Sequence, residues 1–233
     1  MRIGRRWNLD PVLKPFQSGY ITFANDPISR IYHDGNDDIF YMKNGKMHFS
    51  QTKNGTAIKV QTKNGLIDFA KLNLNSKINR TIATTIFAYY GKQVAGNGIY
   101  GTVNKNGDKK AKDNPAYTLG KSIFLNIKGG LDEDMNDYRN LKNVIAHEKY
   151  HKEAKGVLKT FGDHAMVYAK QFGDDTFINT SDSFRSGQLS SVVQYLANGL
   201  VGNANVSADS KEQILSILDK VNTALRNAKG DIR

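Results

Sequence analysis

Asn143-Val144-Ile145-Ala146-His147-Glu148-Lys149-Tyr150-His151-Lys152-Glu153-Ala154 is the stretch on which the reading of this chain turns. Leu141, Val144 and Ile145 recur at the three-to-four spacing of a helix with one apolar face. The helix is predicted to run from about Asn136 to Ala154 and to stop at Gly156. The acidic cluster Asp132-Glu133-Asp134 just ahead of it suits the positive end of its dipole. On such a helix His147 and His151 stand one turn apart and about 40° from each other around the axis. Both imidazoles then project to one side, where they can take one Zn2+ at roughly 2.0–2.1 Å each.

Glu148 sits about 100° round the helix from His147, close enough to reach a water polarised by the ion without displacing it. That position suits a general base. The chain has only five histidines and four glutamates, so a chance occurrence of the His-Glu-x-x-His pattern is rare. A third ligand must come from elsewhere. Glu153 is too close on the same helix, Glu212 lies far along the chain, and His33 and His48 are upstream. His164 falls on the stripe Val157, Phe161, His164, Tyr168 of the next predicted helix and is the leading candidate. Asp163 is the alternative, since a carboxylate also completes such sites. Tyr168, one turn past His164, either stabilises an oxyanion or packs.

Working outward, 233 residues with 39% hydrophobic content suffice for a real core. Zero cysteines exclude disulfides, thiolate metal sites and a cysteine nucleophile, so any metal site must use His and carboxylate. No apolar run is long enough to span a membrane. Met1-Arg2-Ile3-Gly4-Arg5-Arg6 does not continue into the apolar core of a signal peptide. The net charge of +11 is the extreme value. Between Met42 and Lys128, fourteen lysines and one arginine face three aspartates, so this stretch alone carries +12. Dispersed lysine with scarce arginine reads as solvated surface more readily than as a nucleic-acid interface.

The first thirty-five residues read as extended and turn-rich, broken at Asp10-Pro11, Lys14-Pro15 and Asp26-Pro27. Ile39–Met42, Asn44-Gly45 and Lys46–Phe49 then predict a β-hairpin. Gln51-Thr52-Lys53-Asn54-Gly55 recurs as Gln61-Thr62-Lys63-Asn64-Gly65, which suggests successive turns of a β-meander. A helix is expected from the N-cap Ser76, with Ile78, Ile82, Ile86 and Tyr89 on one stripe, ended by the Gly-rich run Gly91–Gly101. A lysine loop follows, then a strand over Ser122–Ile127. Beyond the histidine helix, further helices are expected near Val157–Phe172, Gly187–Asn198 and Ser210–Ala228, the last with Ile214, Leu218, Val221 and Leu225 inward. A β-rich N-terminal half and a helical C-terminal half make an α+β fold.

Two stretches carry resemblances. Gly4-Arg5-Arg6-Trp7-Asn8-Leu9-Asp10-Pro11-Val12, then Pro15, Ser18, Tyr20 and Phe23-Ala24-Asn25-Asp26-Pro27-Ile28, resemble the end of an Rhs (YD-repeat) core of the Bacteroidetes type. Such cores present a variable C-terminal domain, often a toxin. The resemblance implies an Rhs end over residues 1–35 and a toxin domain over 36–233. It also implies secretion, or delivery into a target cell as part of a larger Rhs protein, and a possible cognate immunity protein.

From His147 to about Asn198 the chain is similar to metallopeptidase-like C-terminal domains attached to such cores. The shared residues are His147, Glu148 and His151, then His164, Val167-Tyr168 and Gln171, then Thr176-Phe177, Gly187, Ser190-Ser191 and Tyr195. This resemblance favours His164 over Asp163 and implies a zincin-like domain that hydrolyses a protein or peptide with Zn2+. The expected roles are metal ligation by His147, His151 and His164, and catalysis by Glu148 and Tyr168. Two other readings compete: a basic toxin acting on nucleic acid through the lysine-rich region, and a catalytically silent zinc-binding remnant.

Overall fold

Asn44 and Gly45 both take left-handed backbone angles, φ 51° and 73°, and fold the chain into the two-residue turn that matches strand twist. They join β1 (Asp38–Lys43) to β2 (Lys46–Ser50) in an antiparallel pair with Phe40 opposite Phe49. The computed structural model describes residues 37–50, 55–104, 114–154 and 161–202, with positions 212, 215, 216, 219 and 223 beyond them. The Rhs-like segment, the first Gln-Thr-Lys-Asn repeat up to Asn54, the lysines of 105–113, Val157 and the inward residues expected of the last helix lie outside these. Positions 212, 215, 216, 219 and 223 are helical and exposed.

The second copy of the repeat does turn the chain, between β3 (Ile58–Thr62) and β4 (Gly65–Asp68), an antiparallel pair. The sheet is not a meander, however. Its order is β2-β1-β3-β4, and β1 and β3 run parallel, with Asp38 beside Ile58. The reason lies in register. Ser50, the end of β2, sits opposite Ile39, so the chain is already back at the start of β1 and needs only a short connection to begin β3 there. The two Asn-Gly signals fixed turns correctly but said nothing about which strands are neighbours.

A helix, α1 (Lys77–Ala95), follows Ser76 and buries Ile82, Ile86, Phe87 and Tyr90. It does not end at Gly91, as expected, but runs on for another turn. Gly91 is there because Tyr100 needs its space: a Cβ on Gly91 would lie 2.3 Å from the Tyr100 ring. Tyr100 belongs to β5 (Ile99–Val103), one of two strands not foreseen; the other is β6 (Ala116–Leu119). With β7 (Ser122–Asn126) they form a second sheet, β5-β7-β6, in which β5 is parallel and β6 antiparallel to β7.

The histidine helix, α2 (Tyr138–Glu153), starts two residues later than expected, because Asp132 caps a short 3-10 turn over Glu133–Asn136 and Asp137 caps the helix itself. The Asp137 carboxylate accepts from the Arg139 amide at 2.9 Å. The Tyr138 amide donates to the Thr56 carbonyl at 2.9 Å, pinning the start of α2 to the first sheet. Leu141, Val144, Ile145 and Ala146 are buried, so the apolar stripe faces the core. Then come α3 (Phe161–Phe172), a short α4 (Asp175–Ile178) that was not foreseen, and α5 (Asp182–Gly202), which begins five residues ahead of the expected Gly187. The architecture is α+β, with strands mainly in the N-terminal half and helices in the C-terminal half. No helix among the described residues is long and apolar enough to cross a membrane.

Aromatic packing ties the first sheet to α1 and α2. Phe40, Phe49, Tyr89, Tyr90 and Tyr138 form one connected set, with ring centroids 4.6 Å apart for Phe49–Tyr89 and 6.1 Å for the stacked Tyr90–Tyr138 pair. Lys142 lays its ammonium over the Tyr90 and Tyr138 rings at 5.7 and 5.1 Å. Beneath them the Tyr90 hydroxyl donates to the buried Asp38 carboxylate at 2.5 Å. Burial pushes both groups up in pKa, Asp38 against the pull of that hydrogen bond. The second sheet holds α2 from the other side, where the Thr118 hydroxyl donates to the Glu148 carbonyl at 2.7 Å.

Candidate metal centre

The i,i+4 spacing on α2 brings the His147 and His151 rings to one side, with Nε2 atoms 3.0 Å apart. His164 comes from α3, and its Nε2 lies 3.3 Å from that of His147. One ring nitrogen from each of the three histidines falls within 4.8 Å of the others, an arrangement that can hold a metal ion. The Asp163 side chain lies outside the described residues. His48 is on β2, stacked on Tyr41 at 5.4 Å, and Glu212 is exposed.

The electrostatics suit cation binding. Burial, reinforced by the neighbouring imidazoles, pushes His147 down to about 3 and His151 down to about 4. Burial lowers His164 as well. All three rings are therefore neutral at pH 7 and carry the lone pairs a metal requires. Glu148 is buried on the same helix, at 7% exposure. Tyr168 is also buried, and its ring stacks on His164 (5.3 Å, 16° between planes) and leans on His147 at 4.6 Å. Its ring thus walls His147 and His164.

A sequence profile of the metallopeptidase toxin 2 family matches residues 13–233. The chain belongs to the metallopeptidase toxin 2 family. No curated protein and no solved structure matches it significantly. Membership in a metallopeptidase toxin family and a histidine cluster able to hold an ion both suggest a metal.

The chain also holds polar residues around the cluster to which the motif assigns no role. His147 Nδ1 lies 2.8 Å from Gln171 Oε1 on α3. Gln171 in turn donates to Asn143 Oδ1, and Asn143 donates to the Thr176 hydroxyl at 3.0 Å. Asn143 and Gln171 are both 0% exposed. A sequence signal for them did exist: Asn143 stands four before His147 and Gln171 seven after His164, each on the face of its helix that carries the histidine. Nothing in those spacings says that the two faces meet. Tyr150, one of the two unspecified positions of the motif, donates to Asp174 at 2.7 Å.

Proposed function

We propose that this chain is a zinc-dependent endopeptidase, in which His147, His151 and His164 hold the ion and Glu148 is the general base. The observation that carries the reading is the convergence of three imidazoles, two of them on the helix that also carries the buried Glu148. The donor set fits zinc. Two nitrogens each bound at roughly 2.0–2.1 Å to one tetrahedral ion lie about 3.3–3.4 Å apart. The Nε2 separations from His147 are 3.0 and 3.3 Å. With no cysteine in the chain, and no fourth ligand in the cluster among the described residues, the three histidines fit the open catalytic type rather than the closed structural type.

Zinc, when bound, supplies Lewis acidity, polarising a scissile carbonyl and lowering the pKa of a water. The remaining work falls to the chain. The Glu148 carboxylate takes a proton from the attacking water and delivers it to the nitrogen of the leaving amine. Tyr168, whose ring packs on His147 and His164, donates its hydroxyl to the developing oxyanion. The Thr118–Glu148 hydrogen bond sets β6 beside α2, and β6 has one partner strand among the described residues. An extended peptide can therefore add its backbone to that edge, as peptides do on open sheets.

The reading includes a setting. Residues 1–35 end an Rhs core, the toxin domain occupies 36–233 and is delivered into a target cell, and a cognate immunity protein protects the producer. The nucleic-acid reading gains no support from the site, which is built from imidazoles on α2 and α3. Metal analysis and peptide cleavage test the proposal together. Purified protein is expected to carry near-stoichiometric zinc. Glu148→Gln is expected to keep that zinc and lose about 10²–10⁴-fold in cleavage of an unfolded protein substrate. A zinc-free protein, or full activity in Glu148→Gln, sinks it. Zinc without turnover in the unaltered chain points to the silent remnant instead.

A further inference from the structure

The hydrogen bonds behind His147 form a single file, buried at the Gln171–Asn143 link, and the donor and acceptor capacities of its members force its direction. Asp174 Oδ1 lies 2.7 Å from the Thr176 hydroxyl and 2.9 Å from the Thr176 amide, and Oδ2 receives the Tyr150 hydroxyl at 2.7 Å. Burial alone would raise Asp174, but these hydrogen bonds outweigh it and hold the carboxyl below its usual range. An ionised carboxylate only accepts, so the one hydroxyl proton of Thr176 is committed to Asp174. Thr176 Oγ1 must then accept from its other neighbour, which is Asn143 Nδ2 at 3.0 Å.

With its amide nitrogen turned to Thr176, Asn143 turns Oδ1 to Gln171, and an amide oxygen only accepts. Gln171 therefore presents Nε2 to Asn143, at 2.5 Å, and Oε1 to His147, at 2.8 Å. Facing an obligate acceptor, His147 Nδ1 must carry the ring proton. Its Nε2 is left with a lone pair, aimed at His151 and His164.

We propose that Asp174, through Thr176, Asn143 and Gln171, sets the tautomer of His147, and that Gln171 is the positioning residue that keeps Nε2 free for a metal. Reversing any link would put two acceptors or two donors face to face in a site with no exposure at Asn143 or Gln171. Tyr150 has a place in the same device: from inside the histidine motif it reaches across and fixes the carboxylate at the far end of the file. The consequence for metal affinity rests on the ligand role proposed above for His147. The tautomer itself does not.

The test has two arms. In metal-free protein labelled with ¹⁵N-histidine, long-range ¹H–¹⁵N spectra report which nitrogen of each ring is protonated. The His147 signals are those missing in His147→Ala. The unaltered chain is expected to show His147 protonated on Nδ1, and Gln171→Leu to show a mixture. Gln171→Glu, which as the neutral acid keeps an acceptor opposite Nδ1 and a hydroxyl donor opposite Asn143 Oδ1, is expected to restore the Nδ1–H form. In the second arm, zinc affinity measured against a competing chelator is expected to fall about 10–100-fold in Gln171→Leu and to recover in Gln171→Glu.

Should Gln171→Leu fail to fold, Thr176→Val breaks the file three links from the histidine, at a partly exposed position. There a growing Nε2–H fraction is the expected result. A His147 protonated on Nε2 in the unaltered chain overturns the proposal. So does an unchanged tautomer together with unchanged zinc affinity in Gln171→Leu. Nδ1–H in a chain that binds no zinc supports the tautomer device and removes the metal reading instead.

Discussion

At the scale of single residues, the site separates groups that a spacing rule can find from groups that only a fold can deliver. His147 and His151 are four apart on one helix, and helix geometry alone puts their rings on one side. His164 was legible too, because three of the five histidines fall within Ala146–Ala165 and it lies on an inward stripe. Asp174 was not legible. It has no periodic relation to His147 and reaches it only through three intervening side chains. Tyr168 offers the sharpest residue-level prediction. Its ring packs on His147 and His164, so Tyr168→Phe keeps that contact and removes only the hydroxyl. Zinc content is expected to stay unchanged while kcat falls about 10²-fold, the cost of one lost oxyanion donor. A kcat within twofold of the unaltered chain would assign Tyr168 to packing alone.

Among elements, α1 shows how tertiary packing overrides local preference. A glycine inside a helix costs about 0.5–1 kcal/mol relative to alanine, so Gly91 read as a stop. The fold tolerates that cost because the Tyr100 ring occupies the space a Cβ would fill. The Tyr100 hydroxyl then lies within hydrogen-bond reach of the Gly91 carbonyl, at 2.9 Å, and of the Gly96 carbonyl, at 2.6 Å, just past the end of α1. Gly91→Ala, stabilising by propensity alone, is therefore expected to destabilise by about 1–3 kcal/mol through overpacking. Thermal unfolding checks it, with a drop of about 2–4 °C per kcal/mol for a chain of this size. An unchanged or higher melting temperature would mean that the ring yields freely. The same packing explains why β5 went unseen: its Gly-rich surroundings look like a loop, and β7 beside it is what makes it a strand.

For the whole molecule, the lysine-rich region raises the question of how its few acids are used. Among the described residues Asp68 is the only acid between Met42 and Lys128, and it accepts from Lys59 at 2.6 Å and Lys71 at 2.9 Å. The hydrogen bond from Lys59, followed by that from Lys71, holds its carboxyl below the usual range. The sign of the linkage follows. A depressed folded pKa contributes stability that is present above the unfolded value of about 3.9 and is lost as pH falls through the folded one. Asp68→Asn is thus expected to lower stability at pH 7 by about 0.5–1 kcal/mol, a modest amount for a partly exposed pair. The difference from the unaltered chain should shrink as pH falls below the unfolded value and through the depressed folded one. Denaturant unfolding across that range checks it, and a difference independent of pH would place the effect elsewhere.

What the sequence determined by itself was local and periodic. It set the α+β division, the Asn44-Gly45 turn, the amphipathic α2, the histidine pair with Glu148 between, and the exclusion of thiolate ligands by a chain without cysteine. Each of these depends on residues within a turn or two of one another, where backbone geometry fixes the outcome. Only the tertiary structure decided that β1 runs parallel to β3, that Gly91 belongs inside a helix, and that α3 turns Gln171 toward the back of His147. The physical reason is common to all three. Strand partners, the room around a missing Cβ and the polarity of a buried hydrogen-bond file depend on contacts between distant segments, and no spacing along the chain encodes which faces will meet.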